Sequence, residues 1–161
     1  MPGLGLLRAS ADLTTQDLIS LPPELTPVNF HSTKIGEFEG KTRLFLAAEG
    51  KGLVAVVTLD GDVEYTLSKP AFDEYQSDAA KYLPTDTTLA GNTLFIADGY
   101  GSNYISKADV TTRQWAGIFG GKSDADHHHA SNTHTHLYLH SDCHDCGCNF
   151  WRATAPSNCG R

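Results

Sequence analysis

No cysteine precedes Cys143 in this chain of 161 residues. Disulfides therefore play no part in the first four-fifths of the protein, and cysteine usage leaves the redox compartment open. Long apolar runs are missing as well, so no segment is expected to span a membrane. The N-terminal stretch Met1–Leu13 has one arginine and only a short apolar run, which does not read as a signal peptide; the chain is expected to be soluble, its compartment open. Basic clusters are also absent. Twelve Lys and Arg face nineteen Asp and Glu, a net charge of −7 with the eight histidines neutral. Binding to a phosphate backbone needs clustered Lys and Arg, so nucleic acid is excluded as a partner. No basic amphipathic helix is present to hold a membrane surface.

What is present is a repeat. Leu44-Phe45-Leu46-Ala47 lines up with Leu94-Phe95-Ile96-Ala97 at an offset of about fifty residues, a period typical of solenoids, propellers and arrays. Each copy has an apolar strand, a Gly-rich turn, a second β-rich run and a polar turn. Such a unit cannot bury its own faces and needs neighbours. The length fits one domain. It allows about three repeats, whereas closed propellers carry about four to eight blades. The chain is thus a small array or a piece of a larger ring.

Residues 1–25 form a lead-in, in which Thr14–Ile19 is expected to be a short helix capped by Thr14 and stopped by Pro22-Pro23. Residues 26–81 hold a first unit with its connection: strands at Val28–Ile35, Arg43–Ala48, Leu53–Leu59 and Val63–Leu67. Asp60-Gly61 marks a hairpin. Ser68–Lys81 reads as a polar, acidic link. Residues 82–122 hold a second unit, with strands at Tyr82–Leu89, Thr93–Ala97, Tyr104–Asp109 and Gln114–Phe119. Residues 123–161 change character and carry seven histidines and every cysteine. Low-complexity disorder, packed structure and a slipped coding frame near Asp126 are all open readings of this tail. An uninterrupted third repeat at the source locus, in the same frame, would sink the last.

Pro84-Thr85-Asp86, then Leu94 through Asn103, then the closing Ile118-Phe119-Gly120-Gly121 resemble the NHL-repeat β-propeller family. Within that family the Asp98-Gly99-Tyr100 signature is most similar to six-bladed propellers of the peptidyl-α-hydroxyglycine α-amidating lyase type. The likeness runs from Thr26 to Lys122 and stops at the tail. It implies an all-β fold, a partial NHL-type β-propeller of about two four-stranded antiparallel blades plus an irregular tail. Family members include scaffolds, RNA binders and enzymes, so fold alone gives no function. The lyase branch carries zinc on inner-strand histidines with a tyrosine beside the metal, and cleaves a carbinolamide into an amide and glyoxylate.

Under that resemblance, His31 is a candidate zinc (Zn2+) ligand on the opening strand of the first blade. Counting back four from Ile35 and from Leu89 sets it level with Thr85. Histidines on alternate inner strands of a six-bladed ring lie about 120° apart and converge on the channel. Three imidazoles and an open position make a catalytic zinc site. His136 is the candidate second ligand, with His134 its competitor, and the third would come from a missing blade. The plainer reading of His31 is a hydrogen-bonded strand histidine. Tyr100 matches the lyase's catalytic tyrosine, its flanking glycines permitting φ > 0; the alternative is a packing tyrosine. Asp98 reads as a turn cap or a structural calcium (Ca2+) ligand. Arg43 and Arg113 read as surface charges, leaving the lyase's substrate arginines without counterparts. Cys143, His144, Cys146, Cys148 and Cys159 invite a zinc-knuckle reading, but the second half of a paired motif is missing.

Three functions compete: an NHL-type scaffold or binder of a small molecule or peptide, a metal-dependent carbon–nitrogen lyase, and a small metal-binding protein built on the tail. An open stack exposes strand edges, so self-association and inactivity of the isolated chain are expected.

Overall fold

A computed structural model describes residues 5–121. Their ten strands are β1 (Leu6–Ala9), β2 (Gln16–Ile19), β3 (Phe30–Phe38), β4 (Lys41–Ala48), β5 (Leu53–Val57), β6 (Val63–Ser68), β7 (Asp86–Ala90), β8 (Thr93–Ala97), β9 (Tyr104–Asp109) and β10 (Gln114–Gly120). Only three single 3₁₀ turns interrupt them. Among the described residues no helix is long and apolar enough to cross a membrane. The protein is all-β.

β3-β4-β5-β6 and β7-β8-β9-β10 are two four-stranded antiparallel sheets, each a meander in chain order. The Asp60-Gly61 turn closes β5 onto β6, with Thr58 N–H donating to the Asp62 carbonyl at 2.9 Å. The sequence repeat is also the structural repeat. Leu44 pairs with Val57 and Leu46 with Ala55; fifty residues on, Leu94 pairs with Ala108 and Ile96 with Ser106.

The faces follow from this register. Leu44, Leu46, Ala55 and Val57 form the back of the first sheet and cluster with Leu6 and Leu25. Phe45, Val54 and Val56 form its front and meet Leu94, Ile96, Ala108 and Val110. Since Leu94 and Ile96 are the counterparts of Leu44 and Leu46, corresponding residues face the same way in both sheets. The second sheet lays its back on the front of the first, so the stacking is head-to-tail rather than two-fold. The second sheet's own front gathers Phe95, Ala97 and Ile105.

The lead-in departs from expectation. Thr14–Ile19 is no helix: Gln16–Ile19 is β2, and it pairs with β1 at Leu7↔Leu18 and Leu6↔Ile19. Strand pairing wins because it turns Leu6 and Ile19 onto the apolar back of the first sheet, and burial of that kind outweighs helix propensity. The opening strand of the second sheet begins at Asp86 rather than Tyr82. Tyr82 is instead drawn into the core between the sheets, edge-on to Tyr75 at 5.7 Å and to Trp115 at 6.1 Å. The acidic link is likewise less polar than its charges suggest: its Phe72 and Tyr75 pack into the seam beside Tyr82.

Candidate functional site

The seam between the two opening strands, β3 and β7, gathers the polar residues of interest. His31 sits where the β3–β4 register slips. Phe30 pairs with Ala48 and Ser32 with the adjacent Ala47, so His31 is the extra residue of a bulge. Bulges re-aim side chains. This one lets Phe30 pack with the back cluster while the imidazole turns toward β7.

The sequence count set His31 level with Thr85, and the two touch. His31 Nδ1 lies 2.8 Å from the Thr85 carbonyl oxygen, and Nε2 lies 3.3 Å from the Tyr100 hydroxyl. A carbonyl only accepts, so Nδ1 carries the proton. In the neutral ring Nε2 then presents its lone pair, and the Tyr100 O–H donates to it. The rings meet edge to face, centroids 5.1 Å apart. The structure thus brings together two residues that lie sixty-nine positions apart in the chain. Backbone-anchored Nδ1–H is also the arrangement that orients a metal-binding Nε2.

Thr85 is itself held, its N–H donating to the Ala97 carbonyl at 2.8 Å. Beside it Asp86 is buried and ion-paired across the seam with Lys34 at 3.4 Å. Farther along, a cleft of about 260 Å³ lies between β3 and β7, lined by Lys34, Ile35, Glu37, Phe45, Thr88 and Leu89. It does not include His31 or Tyr100.

Tyr100 rides the β8–β9 turn. The expected left-handed glycines are absent there: the positive φ falls on Asn103, at 61°, and on neither Gly99 nor Gly101. Those glycines are needed for space. A Cβ at Gly99 would lie 2.5 Å from Thr85 Oγ1, and one at Gly101 would run into the Lys81 carbonyl and the Asp98 carboxylate.

Asp98 does cap its own turn, accepting the Ser102 N–H at 2.7 Å on Oδ2. It also takes the Tyr75 O–H at 2.8 Å and, on Oδ1, the Leu83 N–H at 2.7 Å. Burial, followed by the negative charge of Asp98, pushes the Tyr75 phenol far above its ordinary value. The neighbouring Tyr82 is raised chiefly by burial, its hydroxyl having no partner among the described residues.

Arg43 is no surface charge. It is 4% exposed, donates through Nε to Glu64 at 2.6 Å and through Nη1 to the Phe38 carbonyl at 2.7 Å, and stacks 3.9 Å from the Phe38 ring. It ties the β3–β4 hairpin to β6, far from His31 in register. Arg113 is exposed and stacks on Tyr65 at 4.8 Å.

His134, His136 and the Cys143–Cys159 cluster lie outside the described residues. Among the described residues no three His, Cys, Asp or Glu side chains gather to hold a metal ion.

The fold and this pair define the class: an all-β protein of head-to-tail stacked sheets with an imidazole–phenol pair at the seam. Compared with known proteins, the chain matches no family model, no curated protein and no solved structure.

Proposed function

We propose that this chain is part of an NHL-type propeller array with a binding or scaffold role, its ligand a small molecule or peptide met at the His31–Tyr100 seam. The observation that carries the reading is the head-to-tail stacking, in which Leu94 and Ile96 repeat the orientation of Leu44 and Leu46. An operation of that kind either closes into a ring or runs on. The array reading therefore expects the full chain to self-associate, and sedimentation velocity across a dilution series tests it. A monodisperse, cooperatively melting monomer would sink it.

The His31–Tyr100 contact favours a second reading, a zinc-dependent lyase acting on a carbinolamide. Zinc bound at the seam would polarise the substrate's carbinol oxygen. His31 would supply one ligand nitrogen, its ring angle set by the Thr85 carbonyl. The Tyr100 phenol lies beside it, able to hold or pass the proton as the carbon–nitrogen bond breaks and the carbinol becomes the aldehyde of glyoxylate. Elemental analysis of the full chain and of His31→Ala separates the readings: zinc that disappears with His31 supports the lyase. Turnover of an α-hydroxyglycine peptide unchanged by Tyr100→Phe would end the catalytic assignment.

A further inference from the structure

Neither member of the pair holds itself in place. Tyr100 sits at the tip of a turn whose base is a buried carboxylate with no exposed surface, Asp98. Three donors converge on that carboxylate from three separate segments: Tyr75 O–H from the link between the sheets, Leu83 N–H from the approach to β7, and Ser102 N–H from the turn itself. The Asp98 backbone closes the same turn, its N–H on the Tyr104 carbonyl and its carbonyl taking the Asn103 N–H, each at 2.9 Å. Ser102 Oγ also reaches the Lys81 carbonyl, at 3.0 Å. The Leu83 strand approach leads within two residues to Thr85, the residue that anchors His31. One buried carboxylate is thus tied on one side to the segment carrying Tyr100 and on the other to the segment anchoring the imidazole.

We infer that Asp98 is the positioning residue of the His31–Tyr100 pair, setting the hydrogen bond between the phenol and Nε2 through its bonds to Tyr75, Leu83 and Ser102 together. The inference deepens the ligand-site reading of the seam and concerns the pair's geometry, which exists with or without a ligand. The carboxylate suits this task because it only accepts, and all three of its partners only donate to it. An amide of the same shape cannot do this. Asparagine keeps one oxygen and turns an NH₂ toward a donor, so at least one of the three ties must break.

The experiment reads the ring nitrogens of His31 in the full chain by long-range ¹⁵N–¹H correlation, metal-free and without substrate. His31→Ala identifies the resonance among the eight histidines. Tyr100→Phe gives the reference displacement of Nε2 when its donor is gone. Asp98→Asn is expected to reproduce most of that displacement, and the double variant to add nothing further, because both changes remove the same bond. A folded Asp98→Asn protein with Nε2 unmoved would overturn the inference and leave Asp98 a purely structural residue. If Asp98→Asn does not fold, Tyr75→Phe decides. It deletes one of the three donors without altering the shape of the core, and is expected to move Nε2 the same way by a smaller amount; an unmoved resonance there is equally fatal. Since the readout needs no metal and no turnover, a protein that binds no zinc would lose the lyase reading and keep this one.

Discussion

The two sheets share one plan and differ, among the described residues, in how many layers pack against them. The first is covered on both faces, its back by the β1–β2 hairpin and Leu25, its front by the second sheet. The second is packed on its back by the first sheet, and among the described residues its front gathers the small Phe95, Ala97, Ala90 and Ile105 group. The sequences register that difference. β5 reads Leu53-Val54-Ala55-Val56-Val57, apolar throughout, as a strand buried on both faces must. Its counterpart β9 reads Tyr104-Ile105-Ser106-Lys107-Ala108-Asp109 and mixes polar with apolar residues, Ser106 and Ala108 buried on the back and Lys107 on the front. Where Val56 faces the inter-sheet core, the equivalent Lys107 reaches along the second sheet's front to within 6.0 Å of the Phe119 ring. A strand's composition thus reports the number of layers it serves, even when the backbone pattern is the same.

Exchanging these two positions gives the sharpest test. Val56→Lys places an unpaired charge in the seam and is expected to cost more than about 3 kcal/mol, enough to abolish the cooperative urea transition. Lys107→Val is expected to change stability by no more than about 0.5 kcal/mol either way. Similar costs at both sites would show that the sheets are equivalent after all.

Alkali should open the seam before it affects the outer faces. Tyr65 is pushed up to about 12, chiefly by burial, and burial also raises Tyr75 and Tyr82. The unfolded chain ionises these phenols near their ordinary value of about 10. Their contribution to stability is therefore complete below that pH and is lost as pH climbs through the raised folded values. Urea midpoints should hold level from neutrality to mildly alkaline pH and then fall, with tyrosinate absorbance rising together with unfolding. Phenol ionisation well before unfolding would contradict the burial of this cluster.

The hairpin that makes the first sheet two-sided offers the smallest effect. Leu7 and Leu18 pair across it and stay 63% and 61% exposed. Leu7→Thr should shift stability by less than about 0.5 kcal/mol. In sedimentation it should weaken any self-association at that end of the stack. A larger loss of stability would mean that the hairpin's outer face is covered within the chain.

Much of the architecture is legible in the residues. The apolar runs at Leu44–Ala48 and Leu53–Val57, the Asp60-Gly61 turn and the repeat at Leu94 predict eight strands in two units, and the structure has them with ends shifted by a few residues. The Thr14–Ile19 segment misleads because a few residues of local propensity say less than the apolar sheet back on which β2 lies. The acidic link misleads because its charges hide two aromatics, Phe72 and Tyr75, which with the adjacent Tyr82 are the available signal of burial. Arg43 misleads because nothing local shows that Glu64 and the Phe38 carbonyl surround it.

At the candidate site, register counting sets His31 level with Thr85, since strand pairing in both units repeats at a fixed offset. The contact between His31 and Tyr100 is a different matter. It depends on a bulge at His31, on a turn that needs glycines for room rather than for φ, and on a buried carboxylate that ties that turn to Leu83. Strand content and the repeat follow from periodicity, which is local and survives in a linear text. Which side chains meet across the seam follows from how two sheets stack, and that is set by burial among residues about fifty positions apart, so only the tertiary structure decided it.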